Sequence, residues 1–166
     1  MSMIRVALIV VMAVTLTGCG ERSKFLTYDG PEVTRIVVWK DARQMQLQHH
    51  DRVLMQVPIQ LGFNPVGHKE RRGDGRTPEG TYIIDRRNPN SAFHLSLGIS
   101  YPDVNDRLVA REAGDDPGGD IFIHGQGPRF QRARGDWTAG CIAVTDRQME
   151  RIYAMVRTGT PITILP

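Results

Sequence analysis

Gly135-Asp136-Trp137-Thr138-Ala139-Gly140-Cys141-Ile142-Ala143-Val144 is the stretch that governs how this chain is understood. It holds Cys141, one of only two cysteines in 166 residues. The other, Cys19, ends an apolar leader. An exported chain with one thiol left over points to intermolecular pairing or to a reactive site. Thiols react as thiolates, so a nucleophilic cysteine needs a base or a positive field beside it. Asp120-Ile121-Phe122-Ile123-His124 reads as a short buried strand that ends on an imidazole, followed by Gly125. Gly140 lets the backbone turn sharply and lets another peptide come close. Ile142-Ala143-Val144 gives the cysteine an apolar, rigid mount. His124 and Cys141 are therefore the candidate catalytic pair. The competing reading is an inert buried cysteine and a satisfied core histidine.

Outward from this stretch, the chain is mostly strand. Thr34–Lys40 is rich in β-branched residues, and Arg43–His49 alternates polar with apolar at the period of a half-buried strand. Val53–Leu61 follows after a turn at His50-Asp51, with Pro58 restricted to an edge or bulge because it cannot donate to a ladder. These three form an opening β-meander. The segment 62–80 contains five glycines and two prolines and reads as a long loop. Thr81–Asp85 and Phe93–Ser100 are further strands around a turn at Asn88-Pro89-Asn90. Residues 104–119 read as polar and irregular, with a short helix near Asp106–Glu112. Met149, Ile152, Met155 and Val156 recur at helical spacing within Thr145–Thr158, with Thr145 or Asp146 as N-cap and Gly159 as C-cap. Ile162–Leu165 closes as a strand. The expected fold is mainly β, a meander and sandwich-like mixed sheet, with one substantial α-helix in the C-terminal half.

The first residues bear on location. Met1–Arg5 carries one positive charge, and Val6–Leu16 is almost purely apolar but short of the roughly 20 residues that span a bilayer. That is the layout of an export signal. Leu16-Thr17-Gly18-Cys19 resembles the lipobox of bacterial lipoproteins, which implies a signal peptide over 1–18, lipidation of Cys19 and a membrane held through the N-terminal lipid. Gly20 at the next position favours the outer membrane, on its periplasmic face. Residues 19–33 would then be a lipidated N-terminus and tether. As a free coil of about a dozen residues it would span roughly 20 Å. The domain proper would run over 34–166.

Composition excludes little but is consistent. The chain has 21 Lys+Arg against 18 Asp+Glu, a formal net charge of +3. That balance does not argue for nucleic acid. A sequence pI near 9.1 suits a substrate that bears carboxylates. A zinc site from Cys141, His124 and His94 matches no compact spacing, and neither a metal nor a cofactor is expected.

Taken together, the meander, Gly73-Asp74-Gly75-Arg76-Thr77-Pro78-Glu79-Gly80-Thr81-Tyr82, Ile123-His124-Gly125 and Thr138-Ala139-Gly140-Cys141 resemble the L,D-transpeptidase catalytic domain family of the YkuD type. The resemblance covers most of the chain after the leader. It implies a peptidoglycan L,D-transpeptidase: Cys141 attacks the carbonyl between meso-diaminopimelate and D-alanine in a tetrapeptide stem, and His124 moves the protons. The carbonyl of Gly125 holds the other ring nitrogen. Backbone amides of Gly140 and Cys141 are expected to face the oxyanion, and Thr138 to hydrogen-bond within the nucleophile loop. Many members carry a second histidine before the Gly-Cys pair. Here that position is Ala139, as in a branch with Asp-Trp-Thr-x-Gly-Cys, so proton transfer falls to His124 alone.

Other residues carry weaker expectations. Arg76 is a candidate for a stem carboxylate, although Gly73–Gly80 also reads as a structural entry to the next strand. His94 reads first as a packed core-edge residue and second as a substrate contact. Trp137 reads as packing that shapes the nucleophile loop, next to substrate. The rival functions are a hydrolase on the same fold, acting as L,D-carboxypeptidase or endopeptidase on the wall, and a non-catalytic wall-binding module. A wall-attached lipoprotein is a further possible acceptor. Nothing local to Cys141 separates water from amine as the acceptor.

Overall fold

The computed structural model describes residues 22–166. The expected signal peptide and the lipidation site at Cys19 lie outside the described residues. Three strands open the domain: β1 (Arg35–Trp39), β2 (Gln44–His49) and β3 (Arg52–Pro58). They pair antiparallel in sequence order, which is the expected meander. Pro58 ends the strand that forms the outer edge of the sheet, so its missing N–H interrupts no inner ladder. β4 (Gly80–Asn88), β5 (Ser96–Ile99), β6 (Phe122–His124), β7 (Ile142–Ala143) and β8 (Pro161–Leu165) complete an eight-stranded sheet in the order β3-β2-β1-β8-β4-β5-β6-β7. β8 lies parallel to β1, and β7 lies parallel to β6. The fold is mostly β, a curled mixed sheet with few helices.

Register explains the core. Met55 pairs with Leu47, Leu47 with Ile36, Ile36 with Ile162, and Ile162 with Tyr82. All five are buried, so one apolar row crosses five strands on the same face. Val57, Met45, Val38 and Ile164 form a parallel row two residues away. Each fully buried aliphatic side chain in such a row contributes about 1.5–3 kcal/mol by leaving water. A slip of one residue would turn every one of them to the other face.

Two helices of ten residues are present: α1 (Val104–Ala113) and α3 (Asp146–Met155). The short, four-residue α2 (Gly127–Phe130) lies between them. The short helix expected near Asp106–Glu112 is α1, extended at both ends. α1 is as long as α3, but it buries only Asp106 and Ala110, so it lacks an apolar stripe. A capping box between Asp103 and Asp106 starts it, and Asp106 is pinned by the Tyr82 hydroxyl at 3.1 Å and by His68 Nε2 at 3.2 Å. α3 buries Met149, Ile152 and Met155 as the spacing predicts, and Thr145 is its N-cap. It ends on Val156 rather than Gly159. Gly159, at φ 92°, instead turns the chain into β8 and donates its N–H to Ile84 O at 2.8 Å.

The segment before β1 also departs from the free coil expected of a tether. Lys24 Nζ donates to Pro89 O at 2.7 Å and to His94 O at 3.0 Å. Phe25 meets the ring of Tyr153 with centroids 6.4 Å apart, and Arg22 pairs with Glu150 at 3.4 Å. From Arg22 onward this segment therefore runs along the domain. Its anchors are lysine and aromatic contacts to distant residues, which its polar composition does not reveal.

Candidate active site

The short strands at the end of the sheet bring the site together. β6 pairs antiparallel with β5 and parallel with β7, so that His124 lies opposite Ser96 on one side and Ala143 on the other. Cys141 immediately precedes β7 and His124 ends β6. Both line one cleft of about 290 Å³, together with Asn88, Ser91, Ala92, Phe93, Ser96, Asp120 and Phe122.

His124 is 3% exposed, with Nδ1 2.6 Å from the carbonyl oxygen of Gly125. A carbonyl only accepts, so Nδ1 carries the proton, and in the neutral ring Nε2 keeps its lone pair. Burial pushes the His124 pKa below its ordinary value, partly offset by the Gly125 hydrogen bond and by the charge of Asp146. The imidazole is thus a neutral base at neutral pH. It is clasped by Phe93 at a centroid distance of 4.4 Å and meets Trp137 edge-on at 5.8 Å. Trp137 in turn stacks on Phe130 at 4.5 Å and donates Nε1–H to Gln60 Oε1 at 2.9 Å. Trp137 therefore packs against the imidazole.

Cys141 is half-buried, and its thiol faces Asp120 O at 3.5 Å. Burial pushes its pKa up to about 11, with Asp120 adding to the rise. Both shifts favour the neutral forms, a thiol and an imidazole.

The nucleophile loop is held by polar clamps. Thr138 Oγ1 donates to Cys141 O at 2.7 Å and accepts from Gly140 N at 3.1 Å. That second bond corrects one expectation: the Gly140 amide is occupied by Thr138 and does not face an oxyanion. Gly140 has another task. At φ 130° its added Cβ would stand 2.6 Å from Arg76 O, so only glycine lets the two backbones meet. The loop 62–80 supports the same place. Phe63 N donates to Thr138 O at 2.9 Å, and Thr138 N donates to Leu61 O at 3.1 Å. Asp136, which sequence reasoning left without a role, accepts from Leu61 N at 2.8 Å and pairs with Arg43 at 2.8 Å.

The structure does not bring Arg76 or His94 into the cleft. Arg76 Nη1 pairs with Glu70 at 3.0 Å and donates to His68 O at 3.3 Å, so it contributes its carbonyl to the site and not its charge. His94, at φ 77°, turns Nε2 toward Glu150 on α3 at 3.1 Å. The alternation of Phe93–Ser100 suggested a continuous strand, but the positive φ breaks it and β5 starts only at Ser96. In place of His94, Phe93 and Asn88 reach the cleft. Among the described residues no group of three or more His, Cys, Asp or Glu is placed to hold a metal.

The family model for the L,D-transpeptidase catalytic domain, YkuD, matches residues 33–164. YafK of Escherichia coli (strain K12) is 28% identical over 94 residues, which are 55% of this chain and 32% of YafK. The chain thus spans about a third of the length of that curated relative. Among solved structures, the helical cell shape determining protein Pgp2 from Campylobacter jejuni superposes with a TM-score of 0.64 at 24% identity, over 87% of this chain and 51% of Pgp2. An L,D-transpeptidase from Mycobacterium smegmatis gives 0.55 at 16% identity, over 81% and 59%. At these identities the structural likeness speaks for the fold.

Proposed function

We propose that this chain, which belongs to the L,D-transpeptidase catalytic domain family, is a cysteine-dependent peptidoglycan L,D-transpeptidase acting through an acyl-enzyme on tetrapeptide stems. The observation that carries the reading is the tautomer of His124. Its Nδ1–H is committed to Gly125 O, which leaves Nε2 as the base in the cleft that also holds the Cys141 thiol. Nε2 takes the thiol proton as Sγ bonds to the carbonyl carbon between meso-diaminopimelate and D-alanine. The C–N bond then breaks, and the protonated imidazole returns the proton to the departing D-alanine amine. The thioester is attacked by the side-chain amine of an acceptor stem. That amine loses its proton to His124, and the cysteine leaves and regains it. In this scheme the Cys141 backbone N–H is the candidate oxyanion donor, without Gly140.

The same acyl-enzyme reached by water would make the chain a carboxypeptidase or endopeptidase. A wall-attached lipoprotein would be another amine donor or product. The Leu16-Thr17-Gly18-Cys19 lipobox supports the proposal of lipidation at Cys19 and residence on a periplasmic membrane face, with the outer membrane favoured. Because the chain runs along the domain from Arg22 onward, three peptide steps separate such an anchor from the body. That is a reach of about 10 Å, not the 20 Å of a free tether.

Incubation with purified tetrapeptide muropeptides, followed by mass spectrometry, tests the reaction. Crosslinked dimers are expected. Loss of D-alanine alone would replace transfer with hydrolysis, and unchanged substrate would leave a binding module. Cys141→Ala should abolish conversion while leaving the fold intact, and full turnover by that variant would overturn the nucleophile.

A further inference from the structure

Asp146 opens α3 just after the strand that follows Cys141, yet its carboxylate serves the histidine's loop. Oδ1 accepts from Gln126 N at 2.7 Å and from Gly127 N at 2.9 Å. The Gln126 N–H belongs to the same peptide group as the Gly125 carbonyl, and that carbonyl accepts from His124 Nδ1 at 2.6 Å. The bonds therefore run from imidazole N–H to C=O, across one peptide unit, and from its N–H to a carboxylate. Gly125 is what permits this approach, since a Cβ there would lie 2.5 Å from Asp146 Oδ1 and 2.8 Å from Phe93 O.

Resting on the assignment of His124 as base, we propose that Asp146 is its positioning residue, acting through the Gly125–Gln126 peptide to aim the imidazole and to stabilise its protonated form. Hydrogen bonds to a carboxylate are shorter and stronger than neutral ones, and bonds chained through a peptide polarise one another. As His124 gains a proton, the Gly125 oxygen draws more negative charge, and the carboxylate behind the peptide supports it. The charge of Asp146 indeed acts to raise the His124 pKa against burial. The helix does not require this carboxylate as its cap, because Thr145 and Gln148 form a complete capping box.

Other ionisable groups around the base are accounted for. Cys141 and Asp120 share the cleft with it, and the Asp120 carboxylate is paired with Arg86 at 3.1 Å. His94 lies beside Gly125, with its ring paired to Glu150 on α3. The rings of Phe93 and Trp137 carry no charge. Arg147, next on α3, is exposed.

The test uses the full chain and two variants. Asp146→Asn keeps an oxygen that can accept both amides but removes the charge; Asp146→Ala removes both. The NMR titration of the His124 ring is read without any substrate, and the pH dependence of Cys141 acylation by a carbapenem is read by intact mass. In Asp146→Asn the His124 midpoint should fall, the acid limb of acylation should move to lower pH with it, and the plateau rate should drop. In Asp146→Ala acylation should slow by about 10- to 100-fold, the scale of a lost hydrogen bond to a charged group. Recovery of most of that loss in Asp146→Asn, with the lowered midpoint, is the expected signature. An unchanged His124 midpoint in Asp146→Asn would overturn the proposal and leave Asp146 a fold-holding residue. Failure of the wild type to convert muropeptides would instead count against the transpeptidase reading, since the titration does not depend on it.

Discussion

The strands β3-β2-β1-β8-β4 and the strands β5-β6-β7 share one sheet, but different forces hold the two regions. In the first, long strands pair in register and bury continuous rows of Met, Leu, Ile and Val. Any apolar residue of similar volume would serve in most of these places. In the second, β6 has three residues and β7 has two, too few for a ladder to fix them alone. There the geometry is set by Thr138 bridging Gly140 and Cys141, by Asp136 bridging β2's approach and Leu61, and by Asp146 holding the turn after His124. Burial is forgiving, whereas these clamps depend on single atoms. The site sits where the fold depends least on patterning.

This contrast can be broken first at the base. His124→Ala should slow Cys141 acylation by about 10² or more, the usual scale for a lost general base. Ala139 leaves no second histidine in the nucleophile loop to compensate. With the wild type, the direction of the shift fixes the pH behaviour. Burial lowers the His124 pKa, so the neutral base persists below the ordinary histidine range, and activity disappears only as pH falls through that lowered pKa. The thiol, pushed up to about 11, adds no thiolate of its own at neutral pH. Stopped-flow or mass-spectrometric acylation across pH 4–9 (roughly the histidine range) reads both effects. Wild-type rates in His124→Ala would move the base elsewhere.

A matched pair of substitutions sharpens the comparison. Ile36→Ala removes a fully buried side chain from the middle of an apolar row and should destabilise the fold by about 2–5 kcal/mol. Activity per folded molecule should be unchanged. Thr138→Val keeps the volume but strips the hydroxyl, leaving Gly140 N–H and Cys141 O without their partner. That should take about 1–3 kcal/mol from stability. It should also lower acylation of Cys141 in molecules that remain folded, with Thr138→Ser restoring it. Denaturant melts and acylation rates on the same samples separate the two. Equal losses of activity per folded molecule in both variants would erase the distinction between the regions.

The same contrast explains what was legible. The meander, the burial of Met149, Ile152 and Met155 on α3, and the Thr145 cap follow from periodicity and local chemistry. His124 and Cys141 stood out through the thiol left without a partner and the set of motifs that resembles the family, not through their local surroundings alone. The Gly140 amide was misassigned because its partner, Thr138 Oγ1, is a matter of rotamer. Where the side chains of Arg76 and His94 go is likewise not written in the sequence. Glu70 and Glu150 claim their side chains, and neither pairing has a sequence signal beyond opposite charge. α1 was undervalued because a buried Asp106, not an apolar stripe, fixes it. The glycines at 125 and 140 were visible as glycines, but the atoms they admit, Asp146 Oδ1 and Arg76 O, come from far along the chain.

The smallest expected effect concerns Arg76 and separates its two halves. The guanidinium is about a third exposed, and its partner Glu70 is more than half exposed. A surface pair of that kind is worth about 0–1 kcal/mol. The carbonyl of the same residue stands where a Cβ on Gly140 would fall, so the backbone is indispensable while the charge is not. Arg76→Ala should therefore leave acylation of Cys141 by a carbapenem, which lacks the stem carboxylates, within about a factor of two to three, the equivalent of under 1 kcal/mol. Its KM for tetrapeptide stems should also hold, because the side chain turns to Glu70 and not to the cleft. A KM raised by about tenfold with unchanged carbapenem acylation would show that the guanidinium leaves Glu70 to meet a stem carboxylate. In that case the polar half of the site reaches further along the 62–80 loop than its resting hydrogen bonds indicate.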